Sequence, residues 1–277
     1  MERSGIVTLT TDFGLADVYV GVLKGVIWSI YPQARIVDLT HQILPQAVLQ
    51  GAFLLAEACP YFPYGTVHLA VVDPGVGTER AAIALETPHA LFVAPDNGLL
   101  SCVWENLSAG ERAASRLVEL SERRYWRSPA VDFQPAPTFH GRDIFAPVAA
   151  HLAAGLPLEA LGQPRESLVL LEGCRPLRLE NGSILGQIVH IDRFGNCRTN
   201  IGADWVEELA GQGELKIVCG TCRLTGLVRT YAEGEPGRPL ALIGSHGRLE
   251  IALREDSAAA RLGLRIGDVV RVYRAGP

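Results

Sequence analysis

Long apolar runs are missing from this 277-residue chain. No stretch approaches the roughly 18 consecutive residues that a membrane-spanning helix needs, so no transmembrane segment is expected. Lysine is nearly absent too: Lys24 and Lys216 are the only two, and the remaining positive charge is arginine. Those arginines form no basic stripe interleaved with aromatics, and the formal net charge is −5, so no nucleic-acid partner is expected. Residues 1–6 lack the basic and apolar segments of a secretory signal, which points to the cytoplasm.

Phosphate and metal signatures are equally sparse. Gly75-Val76-Gly77 follows Asp73-Pro74, yet no third glycine stands at the dinucleotide spacing and no P-loop lysine follows. The pattern favours a nucleoside-like ligand without phosphates. Cys219 and Cys222 have the spacing of a zinc or redox pair, but no second Cys-x-x-Cys or Cys-x-x-His completes a tetrahedral set. They flank Gly220-Thr221 between two apolar alternating runs, as at a hairpin turn. The other four cysteines are scattered as small core residues are. Neither a metal nor a cofactor is expected.

What the chain does have is apolar residues, 48% of the total, enough for two cores at this length. Strand-like runs at 6–10, 35–39, 66–72, 82–86 and 91–94 alternate with helical patterns at 18–31, 47–59 and 145–154, two of them stopped by Pro32 and Pro60. That alternation predicts an α/β domain over 1–165 with a central, mostly parallel sheet covered on both faces. The pattern breaks between about residues 163 and 180. Beyond it, short strand-like runs at 184–191, 215–218, 240–243, 249–253 and 269–273 predict a smaller all-β barrel domain over 178–277, with one short helix at 257–264.

In an open α/β sheet, ligands sit beyond the carboxyl ends of the strands. Acids gather there: Asp12 after the first strand, Asp38 with His41 near the second, Asp73 after the third, Asp96 with Asn97 after the fifth. One such Asp is a helix cap or turn former; several along one edge make a crevice that suits vicinal sugar hydroxyls or a cationic substrate. Thr138-Phe139-His140-Gly141-Arg142-Asp143 follows Pro135 and Pro137 and leads into a helix, with His140 facing the crevice and Asp143 in the first turn near the helix dipole. Asp192-Arg193-Phe194-Gly195-Asn196 and Ser245-His246-Gly247 read locally as turns.

Five motifs then stand in a recognisable order: Thr11-Asp12-Phe13-Gly14; Gly65-Thr66-Val67-His68 through Asp73-Pro74-Gly75-Val76-Gly77-Thr78; Ala94-Pro95-Asp96-Asn97-Gly98-Leu99; the His140 segment; and Phe194-Gly195-Asn196 with Thr199-Asn200. The chain resembles the S-adenosylmethionine hydroxide adenosyltransferases, relatives of the fluorinase and chlorinase enzymes. The resemblance implies a homotrimer with each active site between the N-terminal domain of one subunit and the C-terminal domain of its neighbour. It places the catalytic trio on Asp73, Arg80 and His140 and ribose binding on Asp12. It gives Asp17 and Asp192 the methionine amino group and Ser245 its carboxylate. Asn196 takes the adenine edge, and Phe194 and Tyr231 are walls around the base. Two positions depart from the halogenating relatives: His246 replaces an arginine after that serine, and Gln46 a tryptophan beside the ribose.

The reaction so implied is hydrolysis of S-adenosyl-L-methionine to adenosine and L-methionine, by in-line attack of a water at the ribose 5′ carbon. A sulfonium leaves as a neutral thioether, so the protein's task is placement of the water. Bringing water from a pKa of about 15.7 to 7 requires roughly 12 kcal/mol, while one guanidinium about 4 Å away contributes on the order of 4 kcal/mol. Proton loss with or after attack therefore fits better than a resting hydroxide. Three rivals remain on the sequence alone. A halide-using relative would form a 5′-halo-nucleoside, but Asp73 puts a carboxylate where an anion would rest, and Gly141 offers no hydroxyl. A metal-dependent hydrolase would use Asp12, Asp73 and His140. A non-catalytic nucleoside-binding protein would use Asp12, Asn196 and the aromatics.

Overall fold

The computed structural model describes residues 1–130, 132–210 and 213–274. By contact the chain divides into two compact units, Met1–Leu171 and Glu172–Pro277.

In the first unit, strands β1 (Ile6–Thr11), β2 (Arg35–Thr40), β3 (Thr66–Val71), β4 (Ala82–Glu86), β5 (Ala90–Pro95) and β6 (Arg116–Glu119) form one sheet in the order β2-β1-β3-β5-β4-β6. β1 pairs in parallel with β2 and β3, and β3 with β5, whereas β4 runs antiparallel to both β5 and β6. β3 and β5 are buried along their whole length. Burial on both faces is what makes such strands read as near-continuous apolar runs. Helices α1 (Tyr19–Ile30) and α5 (Ala146–Ala153) share one core with Val7, Leu9, Val67 and Leu69. Val20, Leu23 and Ile27 give α1 its buried stripe at helical spacing. Helix α2 (Val48–Ala58) lies where its Gly51 meets Val72 and Leu99. Helices α3 (Ser101–Asn106) and α4 (Ala109–Ala114), with β6, were not expected. All three are too short for periodicity to reveal, although Ser108 and Glu111 form a capping box at the start of α4.

The second unit is antiparallel throughout. It contains β7 (Leu177–Arg178), β8 (Ile184–Ile191), β9 (Cys197–Gly202), β10 (Leu215–Cys219), β11 (Cys222–Thr225), β12 (Pro239–Ile243), β13 (Arg248–Leu253) and β14 (Val269–Arg274), with helices α6 (Ala203–Ala210) and α7 (Ala258–Leu262). The strand path is β11-β10-β14-β8-β9-β13-β12, with β7 beside β8. Val228, just past β11, donates its N–H to the Ala241 carbonyl of β12 at 2.9 Å. The two ends of the path therefore approach, and the sheet curls nearly into a barrel around Ile184, Ile188, Ile217, Ile251 and Val272. Cys219 and Cys222 face each other across the β10–β11 turn as free thiols. Burial pushes the Cys219 thiol up to about 12, which keeps it inert.

Candidate active site

β1, β3 and β5 are parallel, so their carboxyl ends lie on one edge of the sheet. Asp12 follows β1 directly, and Asp73 stands two residues beyond β3. A cavity of about 390 Å³ opens there, lined by Asp12, Gln46, Asp73 and His140 together with the rings of Phe13, Tyr19 and Phe139. The three aromatics pack edge to face, with centroids 5.3 to 6.1 Å apart.

The loop carrying Asp73 is held from several sides. The Asn97 amide donates to the Val72 carbonyl at 2.9 Å, tying the end of β3 to the end of β5. The Thr78 hydroxyl donates to the Gly75 carbonyl at 2.7 Å. Gly77 has φ +77, and a side chain there would collide with the Pro137 carbonyl. Only glycine lets this loop lie against the segment that presents His140.

Arg80 joins the two loops chemically. Its Nε donates to both Asp73 carboxylate oxygens at 2.9 and 3.1 Å, and its Nη2 donates to Asp73 Oδ2 and, at 3.0 Å, to His140 Nδ1. Nη1 reaches the Ala81 carbonyl, and the guanidinium lies over the buried Phe145 ring at 5.1 Å. The Arg80 and Asp73 side chains are 10% and 5% exposed, so little water screens the pair. A guanidinium only donates, so Nδ1 of His140 accepts and the neutral ring carries its proton on Nε2. Burial, and then the charge of Arg80, hold the His140 imidazole below its ordinary pKa, keeping it neutral at pH 7.

Asp12 is oriented from the opposite side. The Gln46 backbone N–H donates to Asp12 Oδ2 at 2.8 Å, from a residue with φ +66. A side-chain-bearing residue in left-handed backbone is a strained position of the sort that collects at binding sites.

The other strand-end acids do structural work. Asp38 pairs with Lys24 at 2.6 Å. Asp96 accepts from Arg165 at 3.2 Å and from the Val169 N–H at 2.8 Å, fastening the end of the first unit. Asp143, fully buried, accepts from Arg127 at 2.5 Å, from Arg142 at 2.7 and 2.9 Å, and from the Ala136 N–H at 2.8 Å. Burial would raise its pKa, but these donors hold it down to about 2. Between His140 and α5 runs a single π-helical turn, Gly141–Phe145, a feature frequent at functional sites.

In the second unit, Phe194, Asn196 and Tyr231 line an open cavity of about 530 Å³ with Leu253, Glu255, Asp256 and Ser257. Phe194 is 77% exposed, an apolar ring offered to solvent. Asp192 organises this turn: Oδ1 accepts the Phe194 and Asn196 N–H groups at 2.9 Å, and Oδ2 accepts from the Asn196 amide at 3.0 Å. Three of its roughly four acceptor sites are thus used. Ser245 is exposed at the β12–β13 turn and Asp17 on the exposed stretch before α1; neither lines these two cavities. Glu250, which sequence reasoning passed over, is buried at the base of the second group. The signal for it was a lone acid in the apolar run Leu249-Glu250-Ile251-Ala252-Leu253.

Each unit thus carries one group of polar and aromatic side chains around a cavity. Residues 7–162 match the SAM hydroxide adenosyltransferase N-terminal domain, and residues 186–271 match the C-terminal domain. The chain belongs to this family. A relative from Thermus thermophilus, named (R)-S-adenosyl-L-methionine hydrolase, is 43% identical over 95% of this chain and 97% of its own length. One of the same name from Salinispora tropica is 41% identical over 96% and 97%. A solved structure of an uncharacterized conserved protein from Thermotoga maritima superposes with a TM-score of 0.86 at 37% identity, covering 97% of this chain and all of that one. In this chain the Asp73–Arg80–His140 cluster falls within the residues matched to the N-terminal domain and the Phe194–Asn196–Tyr231 cluster within those matched to the C-terminal domain.

Proposed function

We propose that this chain hydrolyses S-adenosyl-L-methionine to adenosine and L-methionine. The observation that carries the reading is the Arg80 guanidinium bound at once to Asp73 and His140 beside a cavity that also holds Asp12. Relatives named for this hydrolysis support it.

In this reading Asp12, with one oxygen fixed by Gln46, accepts the ribose hydroxyls. Asp73 and His140 hold a water in line with the 5′ carbon and the departing sulfur. The His140 ring donates from Nε2, and Asp73 accepts a water hydrogen. Arg80 fixes both and spreads positive charge where hydroxide character develops. With Nδ1 taken by Arg80 and Nε2 protonated, His140 orients the water and Asp73 is the proton acceptor. Proton loss accompanies or follows attack, because one guanidinium supplies too little energy to hold a resting hydroxide.

Asp17 and Asp192 hold the methionine amino group, Ser245 its carboxylate, and Asn196, Phe194 and Tyr231 the adenine. The working assembly is a homotrimer in the cytoplasm, each site formed by the first unit of one subunit and the second unit of its neighbour. Catalysis needs no metal or cofactor.

The test is turnover in isotopically labelled water. The label is expected on the 5′ oxygen of adenosine, undiminished after chelation. Adenosine without that label, or a 5′-halo-nucleoside when chloride is added, would overturn the reading.

A further inference from the structure

Glu250 lies on β13 with 2% of its surface exposed, the one polar residue between Leu249 and Leu253. A carboxylate so placed is costly unless donors surround it. They do. Oε2 accepts from the Tyr231 hydroxyl at 2.7 Å, and Oε1 lies 2.5 Å from His246 Nε2. Arg198 on β9 adds its Nε at 3.5 Å from Oε1. Burial alone would raise the Glu250 pKa, but His246 and Tyr231 hold it below the usual carboxylate range, so the group is ionised. Burial, and then the same bond, drives the Tyr231 phenol up to about 12 and fixes it as a donor.

The two donors sit on separate segments. Tyr231 opens a short 3-10 turn, Tyr231–Glu233, after β11. His246 stands in the β12–β13 turn, next to Ser245. Gly244 closes over the pair, and a side chain there would strike both Glu250 Oε1 and His246 Nε2. One buried acid therefore ties together two surface segments that have no strand pairing with each other.

We propose that Glu250 is a positioning residue for substrate: its ionised carboxylate locks the Tyr231 ring and the Ser245–His246 turn in a fixed relation. The idea rests on the SAM-hydrolase reading, in which those segments face the adenine and the methionine carboxylate. Without Glu250 both donors lose their acceptor, the tyrosine ring and the turn move independently, and the substrate must order them on binding. That cost falls equally on ground and transition state, so it appears in KM and leaves kcat.

The experiment uses full-length Glu250→Gln, Tyr231→Phe and the double variant with S-adenosyl-L-methionine. Tyr231→Phe removes a single hydroxyl and keeps the aromatic wall, so it remains informative if Glu250→Gln folds poorly. Each single variant is expected to raise KM about tenfold with kcat within about threefold of wild type. The double variant should be little worse than the more affected single one, because both break the same bond. Two results overturn the proposal: KM within twofold of wild type for Tyr231→Phe, or kcat falling in step with folded fraction while KM stays constant, the mark of a merely structural acid. Wild-type protein that releases no adenosine would instead refute the hydrolase reading.

Discussion

At the scale of single residues, the site depends on what only a guanidinium can reach. Arg80 meets Asp73 along one edge, His140 with Nη2, Ala81 with Nη1 and Phe145 with its face. A lysine is a point charge on a flexible stem and cannot span an aspartate and an imidazole in one plane. Arg80→Lys keeps the charge and loses the geometry. Its kcat is expected to fall about 10²- to 10³-fold, the usual cost of losing a preorganised donor, with KM and thermal midpoint changed little. Steady-state adenosine release beside a melting curve checks this. A variant within threefold of wild type would mean charge alone is needed.

At the scale of elements, the decisive piece is the segment from Arg127 to α5, which hangs on one carboxylate. Asp143 gathers Arg127, Arg142 and the Ala136 N–H and so fixes the stretch that ends in His140. Asp143→Ala is expected to cost about 2–3 kcal/mol. That lies below the roughly 3–5 kcal/mol of a fully buried broken pair, because both arginines are partly exposed and rehydrate. Urea unfolding measures the loss, and kcat should fall as well because His140 is released. The folded pKa lies below the unfolded one, so this contribution is present above about pH 4 and fades as pH falls towards 2.

The same scale shows what the sequence made legible. β3 and β5 are readable because burial on both faces demands near-continuous apolar runs, and β1 because its threonines are β-branched. The reversal of β4 is not, since a fully buried strand has the same pattern in either direction. α3, α4 and β6 are too short to show a period. In the site, Asp12, Asp73 and His140 stand out because strand ends and the Gly–Pro context expose them, yet Asp38 and Asp96 share that signal and serve as fasteners. Telling the two kinds of acid apart requires knowing who donates to each carboxylate. That is a tertiary fact, and Glu250 was missed for the same reason.

At the scale of the whole molecule, acidity tests how deeply neutral groups are built into the first unit. His68 sits at the centre of the sheet with no exposed surface, its ring stacked on Phe92 at 5.1 Å and met edge-on by Phe62 at 5.6 Å. Nδ1 lies 2.7 Å from the Thr8 hydroxyl, and Nε2 is buried with no hydrogen-bond partner among the described residues. Burial disfavours a charged imidazolium there and pushes the pKa down to about 4. Between pH 6.5 and about 4 the unfolded chain therefore binds a proton that the folded one refuses, and stability falls as pH falls through that window. The loss integrates to about 3 kcal/mol by pH 4, where the Asp143 contribution begins to fade. His68→Phe keeps an aromatic ring between Phe62 and Phe92 and removes the titrating group. Its urea midpoint should drop less than that of wild type between pH 7 and 4.5, with the two profiles converging in slope below pH 4. Parallel profiles across the whole range would show that the His68 ring is protonated inside the fold, and that the first unit tolerates a buried charge at its centre.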